Sequence, residues 1–194
     1  MTVLITGATG FVGRGVLMEA LEAPEVTRVV SLGRSKTGVQ HPKLAEWLAP
    51  DMGDLSGLAD QLVGLDACFW CLGVSSNGMD EARYTEITHA YTLHAATLLH
   101  RQNPTLHFCF VSGSGADGNA MWAKVKKRTE DDLKAAGFPG VTVFRPAYIE
   151  DRHGAELRGT LYRVAYRLLT FASPIIRRMG GGTSNAEIGR AMIV

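Results

Sequence analysis

The feature that most constrains this chain is the run of residues 6–13, Thr-Gly-Ala-Thr-Gly-Phe-Val-Gly, close to its beginning. Residues 2–6 are apolar or β-branched and predict a short strand. After the run, apolar residues recur at helical spacing and Pro24 ends the predicted helix; they are Val12, Val16, Leu17 and Leu21. The three glycines therefore lie in a turn that leads from a strand into a helix.

Glycines spaced G-x-x-G-x-x-G in such a turn are typical of a dinucleotide site. Gly7 permits the tight turn, Gly10 lets backbone N–H groups approach a pyrophosphate, and Gly13 lets the helix pack closely on the strand. The helix N-terminus adds unpaired N–H donors and a partial positive charge. The alternative is an ordinary strand–helix turn without a ligand, and we favour the dinucleotide site.

Residues 6–13 also resemble the T-G-A-T-G-F-x-G fingerprint of the extended and atypical short-chain dehydrogenase/reductases. Within that superfamily the chain is most similar to the small atypical NAD(P)-binding proteins related to Tat-interacting oxidoreductase-like proteins. The resemblance covers roughly residues 2–150 and is weaker beyond them. It implies a nicotinamide coenzyme bound across the carboxyl ends of the strands.

Strands and helices alternate along the chain, which predicts an α/β fold with a doubly wound parallel sheet, the Rossmann fold. We expect a single NAD(P)-binding domain over residues 1–194. Its dinucleotide-binding core would comprise residues 1–150, and a small helical segment on the substrate side would comprise residues 151–194. The length and the 46% apolar content are sufficient for one buried core.

The overall charge argues against several classes of partner. A net charge of +1 excludes a general affinity for nucleic acid or for an anionic membrane surface. A helix that spans a membrane needs about 18 or more consecutive apolar residues, and no stretch of this sequence has them. The first residues lead directly into the predicted strand and show no basic region or cleavage site. These observations predict a soluble, cytoplasmic protein.

The cysteines fit that compartment. Cys68 and Cys71 form a C-x-x-C pattern, which could indicate redox chemistry. They lie in a predicted buried strand, however, where residues three apart face opposite sides about 10 Å apart, and a disulfide needs Cα atoms within about 7 Å. We interpret them, and Cys109 in a later strand, as buried structural residues.

The second predicted strand ends at Gly33, and the residues after it bear on the choice of coenzyme. NAD sites usually have an acidic residue here, about 20 residues beyond the glycines, for the ribose hydroxyls. This chain has Arg34, Ser35 and Lys36 instead. Because a guanidinium pairs well with phosphate, we predict NADP rather than NAD. The alternative is a solvated basic loop.

The resemblance implies further coenzyme contacts. In relatives an Asp-Leu or Asp-Val pair that follows the third strand lies against the adenine, which implies that role for Asp54 and Leu55. Asp54 is equally suited to cap a short helix running to Leu62, and the two roles are compatible. The remaining residues that the resemblance assigns to the coenzyme are Thr9, Phe11, Val12, Leu72, Gly73, Lys126, Arg145 and Pro146.

The catalytic residues that the resemblance implies are present only in part. The family serine that bonds the substrate carbonyl corresponds to Ser112 or Ser114, and the sequence does not choose between them. The family's Tyr-x-x-x-Lys pair corresponds to Trp122 and Lys126 on a helix predicted over residues 120–136. An indole N–H can donate a hydrogen bond but is no acid near neutral pH. Tyr148, after the Arg-Pro segment, is a candidate for the missing phenol, with an aromatic wall of the site as the stronger alternative.

Two other groups of residues have less specific interpretations. The helix predicted over residues 80–102 carries His89, His94 and His100, whose spacings of five and six residues put neighbours on different faces, so we predict solvent-facing or interface histidines and no metal site. Beyond residue 152 we predict a basic amphipathic helix over the substrate cleft, with arginines in water or directed at an anionic substrate; the alternative is a helix that binds a membrane surface or a partner groove. Its apolar residues are Leu157, Leu161, Val164, Ala165, Leu168 and Leu169, and the arginines of residues 157–186 are Arg158, Arg163, Arg167, Arg177 and Arg178.

Two functions follow from these observations. The first is an NAD(P)-dependent oxidoreductase that transfers hydride to a small acceptor needing no tyrosine proton, such as a flavin or a quinone. The second is a non-catalytic NADP-binding redox sensor or scaffold that acts through a protein partner. Trp122 favours the second, whereas the serines and Lys126 favour the first.

Overall fold

The computed structural model describes residues 1–154 and 182–194. Its central sheet has six parallel strands in the order β3-β2-β1-β4-β5-β6, the doubly wound arrangement expected from the sequence. The strands of this sheet are Thr2–Thr6 (β1), Arg28–Gly33 (β2), Leu44–Leu48 (β3), Ala67–Trp70 (β4), His107–Val111 (β5) and Gly140–Phe144 (β6). A separate parallel pair is formed by Tyr148–Glu150 (β7) and Gly182–Ser184 (β8).

The helices cover both faces of the sheet. They are Phe11–Glu22 (α1), Glu81–Thr85 (α2), Tyr91–Gln102 (α3), Met121–Ala135 (α4) and Asn185–Ile193 (α5). The helix predicted over residues 80–102 is confirmed as a continuous run, because one π-helical segment, Glu86–Ala90, joins α2 to α3. Its first residues are capped by Asp80, whose carboxylate accepts a hydrogen bond from the Arg83 N–H.

Alternation along each strand divides the core into two layers. In β1, Leu4 faces a layer shared with α3 and α4, whereas Val3 and Ile5 face a layer shared with α1 and α5. All three side chains are fully buried, as expected for a central parallel strand covered on both faces. The same alternation separates Cys68 from Cys71, which confirms that this pair lies on opposite faces; both are free thiols.

The last helix packs against the first. A Cβ added to Gly15 would lie 2.5 Å from the Cβ of Asn185, and one added to Gly189 would lie 2.9 Å from the Cβ of Glu19. These glycines therefore allow α1 and α5 to approach closely. A capping box begins α5: the Ser184 hydroxyl accepts from the Glu187 N–H, and the Glu187 carboxylate accepts from the Ser184 N–H at 2.7 Å. Its S-x-x-E spacing is a sequence signature of a helix start.

Two boundaries differ from the sequence prediction. The helix expected over residues 54–62 is a single 3-10 turn, Ser56–Leu58, consistent with the low helix propensity of Gly57. The strand predicted to contain both Cys68 and Cys71 ends at Trp70, so Cys71 lies just beyond it. The predicted basic amphipathic helix beyond residue 152, with its apolar and arginine residues, lies outside the described residues and stays a prediction.

Residues 1–154 and 182–194 contain no helix with both the length and the apolar composition required to cross a bilayer.

Candidate functional site

The turn formed by residues 7–13, the glycine turn, is shaped by close contacts between backbone atoms. Gly7 has a φ of +67°, and a Cβ there would lie 2.6 Å from the carbonyl oxygen of Cys71 at the end of β4. A Cβ on Gly13 would lie 2.2 Å from the carbonyl oxygen of Gly7. The tight turn and the close packing predicted for these two glycines are therefore confirmed as geometry.

The glycine turn also exposes the backbone that a phosphate would need. Thr9 and Gly10 are exposed, and Gly10 is the residue that precedes the first turn of α1. The Gly10 N–H donates to the Gly7 carbonyl at 2.8 Å. No side chain accepts a hydrogen bond at the start of α1. Phe11 and Val12 are partly buried at the start of α1. N–H groups at a helix start without a side-chain cap are suitable donors for a phosphate.

The loop of residues 34–43, the β2–β3 loop, follows β2 at the same edge of the sheet. Arg34, Ser35 and Lys36 are all exposed. The next residue, Thr37, is fixed on two sides: its N–H and its hydroxyl donate to Glu46 Oε1 of β3 at 2.6 and 2.8 Å, and its carbonyl accepts from Arg14 Nη1 at 3.2 Å. The basic residues are thus held next to α1, and sequence reasoning had missed both Glu46 and Arg14.

The residues expected near the adenine and the ribose differ in their accessibility. Asp54 is exposed and accepts from the Ser56 N–H at 3.0 Å, and hydrogen bonds from Ser56 lower its pKa. The side chain of Leu55 is only 1% exposed and belongs to the core, and its contact with the adenine stays a prediction. Leu72 is partly buried and Gly73 is exposed after the end of β4.

The two candidate serines lie in a turn of residues 112–115, the serine turn, after β5. Their N–H groups donate to the carbonyls of Phe144 and Pro146, at 2.8 and 2.9 Å respectively, so the turn is attached to the end of β6. Ser112 is 7% exposed and its hydroxyl donates to Glu130 of α4, whereas Ser114 is exposed. The structure thus distinguishes two residues that the sequence left equivalent.

Lys126 of α4 reaches the same edge of the sheet. Its ammonium donates to the carbonyl of Val111, the last residue of β5, at 2.8 Å and lies 4.9 Å from the centre of the Phe110 ring. Burial lowers the pKa of Lys126 to about 8, although the negative charge of Glu130 and the Cys71 thiol act in the opposite direction. A lysine with a pKa in this range changes its charge near neutral pH.

Trp122 lies one helical turn before Lys126, as the sequence predicts, and contacts the serine turn. A Cβ on Gly113 would be 3.5 Å from Cζ3 of the indole, and one on Gly115 would be 3.7 Å from Cη2. The indole therefore lies beside the turn that carries Ser114.

A network of ion pairs lies behind the serine turn. Glu130, whose side chain is 1% exposed, accepts from Ser112 and from Arg145 Nε at 3.0 Å, and Arg145 also pairs with Asp117. Burial raises the pKa of Glu130, but hydrogen bonds from Arg145 and Ser112 outweigh it, so its pKa is lowered overall. The Arg145 guanidinium thus binds two carboxylates, and the Pro146 carbonyl accepts from the Ser114 N–H. The coenzyme contacts of both residues stay predictions.

Glu130 was not predicted, although its spacing gave a signal. Trp122, Lys126 and Glu130 follow one another at intervals of four residues, which places them on one face of α4.

The other predicted residues have structural contacts. His89 packs against Asp132 of α4, with Nε2 and Oδ2 2.6 Å apart, and His100 contacts Phe138 edge to face, whereas His94 is exposed. Tyr148 begins β7, partly buried and paired in register with Gly182. Burial raises the pKa of all three thiols, and that of Cys109 reaches about 12, so these cysteines are unreactive near neutral pH.

Comparison with known proteins agrees with this geometry. Residues 7–178 match the model of a family described as NAD(P)H-binding. Similar curated proteins include the mitochondrial protein fmp52 of Aspergillus clavatus (29% identical over 76% of this chain and 66% of the relative) and fmp52-1 of Aspergillus oryzae (31%, 75% and 64%). Protein HTATIP2 of Rattus norvegicus is 26% identical over 76% of this chain and 62% of its own. The matches thus extend over slightly less than two thirds of these relatives.

Solved structures share the fold. The Bordetella bronchiseptica enzyme WbmH, in complex with NAD⁺, has a TM-score of 0.74 at 20% identity, covering 99% of this chain and 70% of that one. The reductase domain of PhqB from Penicillium fellutanum has a TM-score of 0.71 at 16% identity, covering 99% and 63%.

The family match agrees with the glycine turn on a nicotinamide coenzyme as the ligand class. The chain belongs to the NAD(P)H-binding family, in the atypical branch of the short-chain dehydrogenase/reductase superfamily.

Proposed function

We propose that this protein is an NADP-dependent oxidoreductase that transfers hydride to a small acceptor such as a flavin or a quinone. The observation that carries the proposal is the position of the Lys126 ammonium, fixed 2.8 Å from the Val111 carbonyl at the end of β5. The glycine turn, the β2–β3 loop and the serine turn all follow strands of the same parallel sheet, so they share its carboxyl edge.

The residues at this edge fit a nicotinamide dinucleotide. The missing Cβ atoms of Gly7 and Gly13 allow the turn to bring N–H groups of the first turn of α1 to one point, where they would bind the pyrophosphate. Arg34, Ser35 and Lys36 would bind the 2′-phosphate, and Asp54 the adenosine. Lys126 would hold the hydroxyls of the nicotinamide ribose. When bound, the reduced coenzyme supplies the hydride.

Of the two serines, we assign the acceptor-facing role to Ser114. Its side chain is exposed beside Trp122, whereas the hydroxyl of Ser112 is committed to Glu130. Ser112 and Glu130 are positioning residues, since they hold the serine turn without reaching the acceptor.

Trp122 determines the acceptor class. The indole cannot release a proton to a developing alkoxide, so carbonyl reduction by the family's tyrosine route has no acid here. A flavin or a quinone accepts hydride into a conjugated ring system, and the proton that completes the reduced product is taken from water. The indole next to the serine turn would provide a flat apolar wall for such a ring.

The cellular setting also remains a proposal. We expect the cytoplasm, although the fmp52 relatives carry the designation mitochondrial. The charge of the acceptor is a separate proposal: the five arginines of residues 157–186 are consistent with an anionic acceptor.

A second function is a non-catalytic NADP-binding sensor or scaffold that acts through a protein partner. Two observations favour it: tryptophan replaces the acid, and Ser112 is withdrawn from the site by Glu130. Its coenzyme contacts would be the same, and only turnover separates the two functions.

Turnover assays test both functions. The purified chain is mixed with NADPH and a panel of quinones, flavins and aldehydes, and coenzyme oxidation is followed by absorbance. We expect oxidation above background with quinones or flavins, reduced in Ser114→Ala and retained in Ser112→Ala if the latter remains folded. NADPH binding by calorimetry with no turnover across the panel would favour the sensor. Tyr148→Phe with unchanged turnover would exclude Tyr148 as an acid.

A further inference from the structure

Arg14 is placed beside the β2–β3 loop by a specific contact. It follows Gly13 directly, on the first turn of α1, and its Nη1 donates to the Thr37 carbonyl at 3.2 Å. Because a guanidinium has five N–H donors in a planar fork, this contact leaves others available. In residues 1–154 and 182–194 no carboxylate forms an ion pair with Arg14, which is partly buried.

The other side of Thr37 involves an acidic residue. Glu46 is a carboxylate beside the loop that follows β2, where an acid would favour the free ribose hydroxyls of NAD. Its Oε1 already accepts the N–H and the hydroxyl of Thr37, at 2.6 and 2.8 Å. The Thr37 hydroxyl in turn accepts from the Val39 N–H at 3.2 Å. Glu46 is therefore engaged by the loop, and Arg34 and Lys36 stand exposed next to it.

We propose that Arg14 is a specificity-determining residue, which forms with Arg34 and Lys36 a cationic site for the 2′-phosphate of NADP. The inference rests on the proposed function, because it assigns a new residue to the coenzyme that this function requires. The Thr37 carbonyl orients the guanidinium, and the Thr37 donors keep the Glu46 carboxylate occupied. Arg14 differs from Arg34 and Lys36 in being partly buried and anchored, so less side-chain freedom is lost when it binds phosphate.

Binding measurements with a variant that keeps the anchor test this role. In Arg14→Gln the amide can still donate to the Thr37 carbonyl, but the positive charge is lost. We expect the Kd for NADPH and for 2′,5′-ADP to rise about tenfold, and that for NADH to change less than about twofold, as for one charge-assisted hydrogen bond to phosphate. The measurement is isothermal titration calorimetry on the whole chain at low ionic strength.

Arg101→Gln is the matched control. Arg101 is exposed near the end of α3, which leads to the opposite edge of the sheet, so the variant has the same charge change away from the site. It should leave the Kd values for NADPH and NADH unchanged. Thr37→Val provides a second test, because it removes the hydroxyl contact to Glu46. The Glu46 carboxylate is then less occupied and favours the ribose hydroxyls of NADH, so the ratio of the NADH Kd to the NADPH Kd should fall.

The outcomes separate the inference from the proposed function. If the wild-type chain binds NADPH and Arg14→Gln binds it as tightly as Arg101→Gln does, the role of Arg14 is wrong and the proposed function stands. If NADPH and NADH lose affinity equally in Arg14→Gln, the residue binds the shared part of the coenzyme and is not specific for the 2′-phosphate. If the wild-type chain binds neither coenzyme, the proposed function itself fails. Melting temperatures of all variants identify any loss that comes from misfolding.

Discussion

The glycine turn and the serine turn lie at the same edge of one sheet, but they are built in different ways. The glycine turn is defined by backbone atoms that approach so closely that no Cβ fits at Gly7 or Gly13. The serine turn is defined by side chains, above all by Glu130, which binds Ser112 and Arg145. The indole of Trp122 lies beside this turn, at the position that the resemblance assigns to the family's tyrosine.

This difference implies that, in the proposed function, a substitution can remove catalysis and leave coenzyme binding intact. A site formed by backbone N–H groups tolerates changes in the side chains around it, because the phosphate contacts depend on the path of the chain. A site formed by side chains can lose one group and keep the rest. Substitutions in the glycine turn should therefore change the stability of the fold together with coenzyme binding. Substitutions around the serine turn should change one contact at a time.

The largest effect is expected for Gly13→Ala. Its Cβ would lie 2.2 Å from the Gly7 carbonyl oxygen, a backbone atom that cannot move without displacing β1 or α1. We expect a loss of about 3 kcal/mol or more in the free energy of unfolding, together with the loss of NADPH binding. Thermal denaturation and calorimetry measure the two quantities. Gly57→Ala is the control, since a Cβ there has no atom within 4 Å; equal stability of the two variants would contradict the comparison.

The next largest effect is expected for Glu130→Ala, which leaves the hydroxyl of Ser112 unpaired and Arg145 with Asp117 alone. We expect a loss of about 2–3 kcal/mol in the free energy of unfolding at neutral pH, as when a buried ion pair loses one partner. Because the pKa of Glu130 is lowered in the folded protein, its contribution is present above its ordinary value of 4.5 and is lost as the pH falls below it.

Urea denaturation as a function of pH measures this contribution. The wild-type chain should lose more stability than Glu130→Ala when the pH is lowered below 4.5. The exposed Glu22 supplies the control, Glu22→Ala, which should retain the wild-type profile. Parallel profiles for wild type and Glu130→Ala would show that the network behind the serine turn does not depend on this carboxylate.

A smaller effect, with two opposite trends, is expected from Lys126. Its pKa is lowered from 10.5 to about 8, so it loses its charge as the pH rises through 8, and NADPH affinity should fall by about tenfold over that range. The unfolded chain holds this proton up to a higher pH, so the stability of the free protein should rise between pH 8 and 10.5. Lys126→Met should remove both trends, whereas Lys124→Met, an exposed lysine on α4, should keep them.

Much of the backbone architecture could be predicted from local sequence, and the contacts within the site could not. Strand alternation, the glycine spacing and the Ser184–Glu187 capping box are short-range patterns, and the structure has them. The pairing of Glu130 with Ser112 joins residues 18 positions apart on different elements, and the Thr37–Glu46 contact depends on the path of a loop. The burial of Leu55 was missed for a similar reason, because its position in the core follows from tertiary packing.

The smallest effect is expected for Trp122→Tyr, which should gain aldehyde reductase activity. This variant is also the most direct test of the side chains around the serine turn. Position 122 lies one turn before Lys126, so the substitution restores a phenol whose proton the nearby ammonium makes easier to release. We expect a several-fold increase in NADPH-dependent aldehyde reduction over the wild-type chain, well below the 10² or more typical of an optimised general acid. Trp122→Phe leaves similar space without the hydroxyl and should gain nothing. An equal gain in both variants would mean that the indole only obstructs the site, and that acid catalysis is not what tyrosine adds beside the serine turn.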